Sequence, residues 1–206
     1  MQDILKNNIA RIALIVIGCI VGIWGGAQLL GDLNFGRNEE TRGSIEQIRE
    51  IAKKSAVAFV PFENKSLGFR MQYPKNWETG TQDGLPYFKT EEKQATLTVV
   101  YSFDVLTRDL TADEFFPEVR DAIFEFYRTE NIPVSTVKEG PTLMGGAPAY
   151  EWEIEYVREG KPYVATQVWT IKDKKAHYLI FTSLADESRG AFYPIFLKMV
   201  KTFELF

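Results

Sequence analysis

His177 is the only histidine in the chain and Cys19 the only cysteine. Nucleophilic catalysis of the Ser-His-Asp or Cys-His kind would have to run through His177, with a nucleophile and an orienting group in hydrogen-bond reach. No Gly-x-Ser-x-Gly elbow or similar motif supplies them. His177 falls instead at the start of a strand, beside a turn that carries Lys174 and Lys175. A single cysteine excludes a disulfide within the chain, and one cysteine with one histidine cannot build a Cys/His zinc cluster. Carboxylates are the remaining candidates. Glu151, Glu153 and Glu155 recur at every second residue, which on a strand puts them on one face about 6.6 Å apart, twice the rise per residue. Such a strip could face cations or a basic partner. Calcium, however, takes about six to eight converging oxygens, usually from a loop, and a straight strip does not converge. A solvated or lysine-paired face is expected. Gly145-Gly146 is followed by Ala147-Pro148-Ala149 and a strand, not by Lys-Ser/Thr and a helix, so a phosphate loop is excluded. No catalytic residue, metal ligand or cofactor is expected.

The elements that hold these residues follow from periodicity. Ala149 to Val157 alternates strictly, with Tyr150, Trp152, Ile154 and Tyr156 on one side and the glutamates on the other. Glu159-Gly160 suits a two-residue hairpin turn. That turn sets Tyr156 opposite Tyr163, Ile154 opposite Ala165 and Trp152 opposite Gln167. A second turn at Asp173-Lys174 sets Trp169 opposite Tyr178. Val164, Val168, Leu179 and Phe181 share the face of the glutamates, so both faces of this meander are partly apolar and both need cover. Earlier strands are predicted over Leu67 to Tyr73, stopped by Pro74, and over Gln94 to Phe103. Thr111 and Glu114 make a capping box for a helix running to about Glu130, whose buried stripe includes Phe115, Phe116, Val119 and Ile123. Pro117 shifts its start without ending it. A closing helix from about Glu187 to Thr202 supplies Phe192, Ile195, Phe196, Met199 and Val200. Pro61 marks the start of the domain. The architecture expected for residues 61–206 is α+β, an antiparallel sheet sandwiched by helices.

Residues 12–30 have a different texture. They carry no formal charge, and Arg11 and Asp32 bracket them. About 20 apolar residues span a bilayer core as a helix. A cleavable signal segment has a shorter apolar run and a small-residue cleavage site. Val16-Ile17-Gly18-Cys19 loosely resembles a lipoprotein cleavage box, but Ile20, Val21, Ile23 and Trp24 continue the apolar run past the cysteine. A retained transmembrane anchor is therefore expected, with residues 1–11 as a cytoplasmic tail and the long C-terminal part extracytoplasmic. Lys and Arg tie on the two sides, and the short tail suits a signal anchor. Gly18, Gly22 and Gly26 lie at i, i+4, i+8, a face on which two helix backbones can approach closely. That face points to a homodimer through the transmembrane helix. Residues 31–60 read as a polar spacer and a short stalk helix, with Ile45, Ile48, Ile51 and Ala52 as its apolar stripe.

Gly68-Phe69-Arg70-Met71-Gln72-Tyr73-Pro74-Lys75-Asn76-Trp77 resembles the opening "GF-x-x-x-YP-x-x-W" of PsbP-type domains. Gly146-Ala147-Pro148-Ala149-Tyr150 resembles a later strand of that family. His177 to Phe181 resembles the strand before its last helix, and Phe192-Tyr193-Pro194 through Lys201-Thr202-Phe203 resembles its ending. The resemblance covers about Pro61 to Phe206 and implies a Mog/PsbP-like α/β/α sandwich. Known members include extrinsic subunits of photosystem II that help retain calcium and chloride, and membrane-attached relatives. The anchor and stalk depart from the photosynthetic subunit.

Net charge is −4, from 24 Lys and Arg against 28 Asp and Glu, which argues against a nucleic-acid partner held by a basic field. The expected role is a non-enzymatic accessory or interaction domain at the cell membrane, stabilising a membrane protein complex. The alternative is a ligand- or ion-binding sensor acting through a transmembrane dimer. An enzyme would need a buried carboxylate pair in a cleft.

Overall fold

The computed structural model describes residues 57–82, 84–90, 95–101 and 109–206. The expected anchor, with Gly18, Gly22 and Gly26, and the stalk up to residue 56 lie outside these residues. Among the described residues no helix is long and apolar enough to cross a membrane.

Strands β1 (Phe59–Asn64), β2 (Phe69–Pro74), β3 (Glu78–Gln82), β4 (Leu85–Lys89) and β5 (Ala95–Tyr101) come first. Helix α1 (Ala112–Thr129) precedes four long strands, β6 (Val134–Met144), β7 (Ala147–Arg158), β8 (Lys161–Lys172) and β9 (Lys175–Leu184). Helix α2 (Glu187–Thr202) and the short β10 (Glu204–Leu205) close the chain. Seven antiparallel strands make the main sheet in the order β3-β4-β5-β9-β8-β7-β6, and β1-β2-β10 make a second, small one. The fold is thus the expected α+β sandwich with an added layer: the strand expected over Leu67 to Tyr73 belongs to the small sheet.

The β7–β8–β9 meander has the expected register, with Tyr156 opposite Tyr163, Trp152 opposite Gln167 and Trp169 opposite Tyr178. Its turns hold Glu159, Gly160, Asp173 and Lys174 at φ of 52°, 74°, 51° and 59°. Positive φ at both central residues matches the right-handed twist of the flanking strands. Helix α1 starts as its sequence dictates, with the Thr111 amide donating to Glu114 Oε2 at 2.9 Å, and it runs through Pro117 unbroken. Pro61, expected to mark the domain start, lies within β1 opposite Gln72. Because β1 is an edge strand, a residue without an N–H is tolerated there.

Each face of the main sheet has its own core. Phe115, Phe116, Val119, Ile123 and Tyr127 of α1 pack on Trp152, Ile154, Tyr156, Trp169 and Tyr178. Burying each large side chain contributes about 1.5–3 kcal/mol. Trp169 adds direction, its indole N–H donating to the Ala112 carbonyl at 3.0 Å. On the other face Phe196, Met199 and Val200 of α2 pack between Leu97, Val168 and Phe181 of the main sheet and Phe69 and Met71 of the small one. Trp77 is buried in this second core and meets Phe192 edge-on at 6.1 Å. Pro74 closes β2, and its carbonyl accepts from the Trp77 amide at 2.9 Å. Pro74 and Trp77 of the "YP-x-x-W" signature therefore serve packing.

Candidate functional site

Sheet alternation puts Glu151, Glu153 and Glu155 of β7 on one face, as expected, and that face is the one α2 covers. For Glu155 the environment is the expected solvated one, but for Glu151 and Glu153 it is not. Glu151 is 5% exposed and Glu153 9%, while Glu155 is exposed. Ionised carboxylates are costly to bury unless paired and hydrogen-bonded, and both find such partners. Glu151 accepts from Tyr193 Oη of α2 at 2.6 Å and from Lys138 Nζ of β6 at 2.8 Å. The lysine pairing is the part of the expectation that holds. Glu153 pairs with Arg189 of α2 and accepts from Thr166 Oγ1 at 2.9 Å. The Arg189 guanidinium also donates to Thr166 at 3.1 Å and lies 3.7 Å from the centre of the Tyr193 ring. Residues from β6, β7, β8 and α2 thus form one charge-balanced cluster that fastens α2 to the sheet. The hydrogen bond from Lys138 to Glu151 raises the lysine pKa, and burial together with Glu151 raises that of Tyr193. Both groups are protonated, and so donors, at neutral pH.

One side of the cluster opens to solvent. A groove of about 850 Å³ runs between α2 and the β6–β7 hairpin, with Glu151 and Val168 in its lining. Pro194, Leu197, Lys198 and Lys201 supply the helix wall. They recur at i, i+3, i+4, i+7, a single helix face, and all four are exposed. Across from them the groove is lined by Thr142, Leu143 and the Gly145-Gly146 turn, with the Leu143 side chain on the α1 face of the sheet, opposite Pro148. Leu143 is 61% exposed and Leu197 41%. On the far side of the same turn a second groove, about 510 Å³, is lined by Ala147, Pro148, Ile171 and Leu205. Gly145-Gly146, excluded as a phosphate loop, is the hairpin turn that separates the two.

His177 shares the face of the glutamates but stands at the mouth of β9 opposite Thr170, with β8 between it and β7. Its imidazole makes no hydrogen bond or ion pair among the described residues. Burial pushes its pKa down to about 4, and Lys175 and Lys172 push the same way. The imidazole is therefore neutral at pH 7. Because the folded pKa lies below the ordinary 6.5, the unfolded chain takes up the proton first as pH falls. Stability from this site is complete above about pH 6.5 and drains as pH drops toward about 4. His177→Gln should flatten the stability profile across that window relative to wild type. Chemical denaturation at stepped pH checks this, and parallel profiles for the two proteins would refute it.

Among the described residues no three His, Cys, Asp or Glu side chains are grouped to hold a metal. A different feature lies on the α1 face. Gln167, Ile180 and Thr98 stand in one cross-strand row. The Gln167 amide, Thr98 Oγ1 and Tyr178 Oη are buried without a hydrogen-bond partner among the described residues. Polar side chains at core positions of a strand were the available signal for this row. The groove had a weaker signal, the hydrophobic Leu197 off the buried stripe of its helix.

No family model matches the chain. No curated protein matches it either. Among solved structures, the cyanobacterial PsbP protein (CyanoP) of Synechocystis superposes with a TM-score of 0.56 at 13% identity, covering 74% of this chain and 95% of that one. The Ran-binding protein Mog1p of Saccharomyces cerevisiae superposes with a TM-score of 0.54 at 7% identity, covering 73% of this chain and 96% of that one. At such identities the likeness is one of fold alone, a PsbP/Mog1-like fold.

Proposed function

We propose that this chain is a membrane-anchored, extracytoplasmic, non-enzymatic accessory domain that docks on a membrane protein complex and stabilises it. The observation that carries the reading is the groove beside α2. Its helix wall presents Pro194 and Leu197, both exposed, on a helix whose other face is buried in the second core. Exposed apolar side chains gathered in one groove are what a partner surface requires. The apolar run at 12–30 supports the tether. The yeast protein of the same fold is Ran-binding, which supports protein docking as a use of this shape, by analogy of fold. The test is co-purification of the full chain from native membranes after mild crosslinking, read by mass spectrometry. A reproducible, stoichiometric membrane partner is the expected result. Recovery of the chain alone overturns the reading and turns the search to a polar ligand for the buried Gln167 row, as the sensor alternative requires.

A further inference from the structure

We infer that the domain lies on the anionic headgroups of the bilayer that holds its tether. The surface that meets them is the outer side of α2 and of the β1–β2 pair, with α1 turned away from the lipid. The inference rests on the membrane-anchored part of the reading above and adds the orientation of the domain.

Charge is divided between the two sides of the molecule. Helix α1 covers one face of the main sheet, while α2 and the small sheet cover the other. The solvent side of α1 carries Asp113, Glu114, Asp121, Glu125 and Glu130, all exposed, against Arg120 and Arg128. On the opposite side the balance reverses. Lys75, Lys198 and Lys201 are exposed and have no ionic partner among the described residues. Around them Arg70 pairs with Glu204 and Lys65 with Glu63, adding no net charge. Helical periodicity sets Pro194, Lys198 and Lys201 on the side of α2 away from the buried Phe196 and Met199. The tether joins the fold at this same surface. The Ala58 carbonyl accepts from the Lys75 amide at 2.8 Å, and the Lys198 ammonium lies 3.8 Å from the centre of the Phe59 ring. The segment leading back toward residues 12–30 therefore leaves the domain between two unpaired cations. Three lysines attract an anionic surface only within about 8 Å, the Debye length at physiological salt. That does not hold a freely diffusing protein. A tether keeps the domain at high local concentration beside the bilayer, where attraction of the lysines and repulsion of the acidic α1 surface suffice to orient it. The groove, on the other flank of α2 from Phe59, then opens beside the membrane, within reach of a partner embedded in it.

Fluorescence energy transfer in proteoliposomes tests the inference. Cys19 is the only cysteine, so the full chain with Cys19→Ala accepts a donor dye at one introduced cysteine. Gly190→Cys labels the outer side of α2, where nothing lies within 4 Å of an added Cβ, and Thr129→Cys labels the exposed end of α1. The acceptor dye is carried by lipid headgroups. In vesicles of phosphatidylcholine mixed with phosphatidylglycerol, transfer from position 190 should exceed that from position 129 several-fold. The ratio should fall toward one in phosphatidylcholine alone. It should fall equally when Lys75→Glu, Lys198→Glu and Lys201→Glu are combined. All three side chains are exposed, so the combined variant should melt as wild type does. If the chain does not float with vesicles of either composition, the tethered reading fails and this inference with it. If it floats but the ratio ignores lipid charge, or survives the combined variant, the tether stands and the inference falls. A ratio that departs from one only in native membranes would assign the surface to a protein partner and also overturn it.

Discussion

Gly145→Ala is expected to destabilise the domain by about 4 kcal/mol or more, the range reserved for severe steric and strain effects. Two features of the turn combine. Gly145 sits at φ +59°, where a side chain costs about 1–2 kcal/mol against the following carbonyl. A Cβ built there would also lie 1.6 Å from the Phe203 carbonyl oxygen, and that oxygen belongs to backbone that cannot swing aside. The close approach has a purpose. The Gly145 amide donates to the Val200 carbonyl at 3.0 Å, so the β6–β7 turn satisfies one of the orphan acceptors at the end of α2. Alanine would push the hairpin off the helix, break this cap and spread the groove. Gly146→Ala is the control. Its φ is +85° but nothing lies within 4 Å of an added Cβ, so only the left-handed strain applies, about 1–2 kcal/mol. Urea unfolding followed by tryptophan fluorescence compares the two. Equal losses would show that the approach to Phe203 is not what requires glycine.

Arg189→Met should cost about 3–5 kcal/mol, the usual result of removing one partner from a buried ion pair. The Arg189 and Glu153 side chains are only 16% and 12% exposed. Methionine fills most of the arginine stem but leaves Glu153 buried with Thr166 as its remaining donor, and it removes the cation from the Tyr193 ring. The loss should be recovered largely in the double variant Arg189→Met with Glu153→Met, because two apolar side chains of matched size owe no desolvation penalty. The double-mutant cycle gives the coupling directly. A loss under about 1 kcal/mol in the single variant, the size typical of exposed pairs, would show that solvent reaches Glu153 and that α2 is held by its apolar face alone. Because α2 also forms the helix wall of the groove, the same variant should weaken partner capture.

The two experiments separate what spaces the groove from what orients its helix wall. Gly145 sets the distance between hairpin and helix. Arg189 and Glu153 set the rotation of the helix, and so which of its residues face outward.

Local pattern was enough for much of this molecule. The period-2 run from Ala149 to Val157 and the turn chemistry at Glu159-Gly160 and Asp173-Lys174 carried the meander and its register, because alternation and positive-φ turns are properties of adjacent residues. The same holds for both helices, whose stripes and the Thr111 cap are written within single turns. Strand β6 escaped notice because it is an edge. Its exposed face needs no apolar alternation, and a register shift between Thr136 and Lys138 breaks the period further. The fate of the glutamates was beyond local reading altogether. A carboxylate on an alternating strand reads as water-facing because burying it alone is prohibitive. Arg189 and Tyr193 come 36 and 42 residues after the glutamates they meet. Only when α2 folds back over β7 do these charges find partners, and the groove beside them exists only in that packed arrangement.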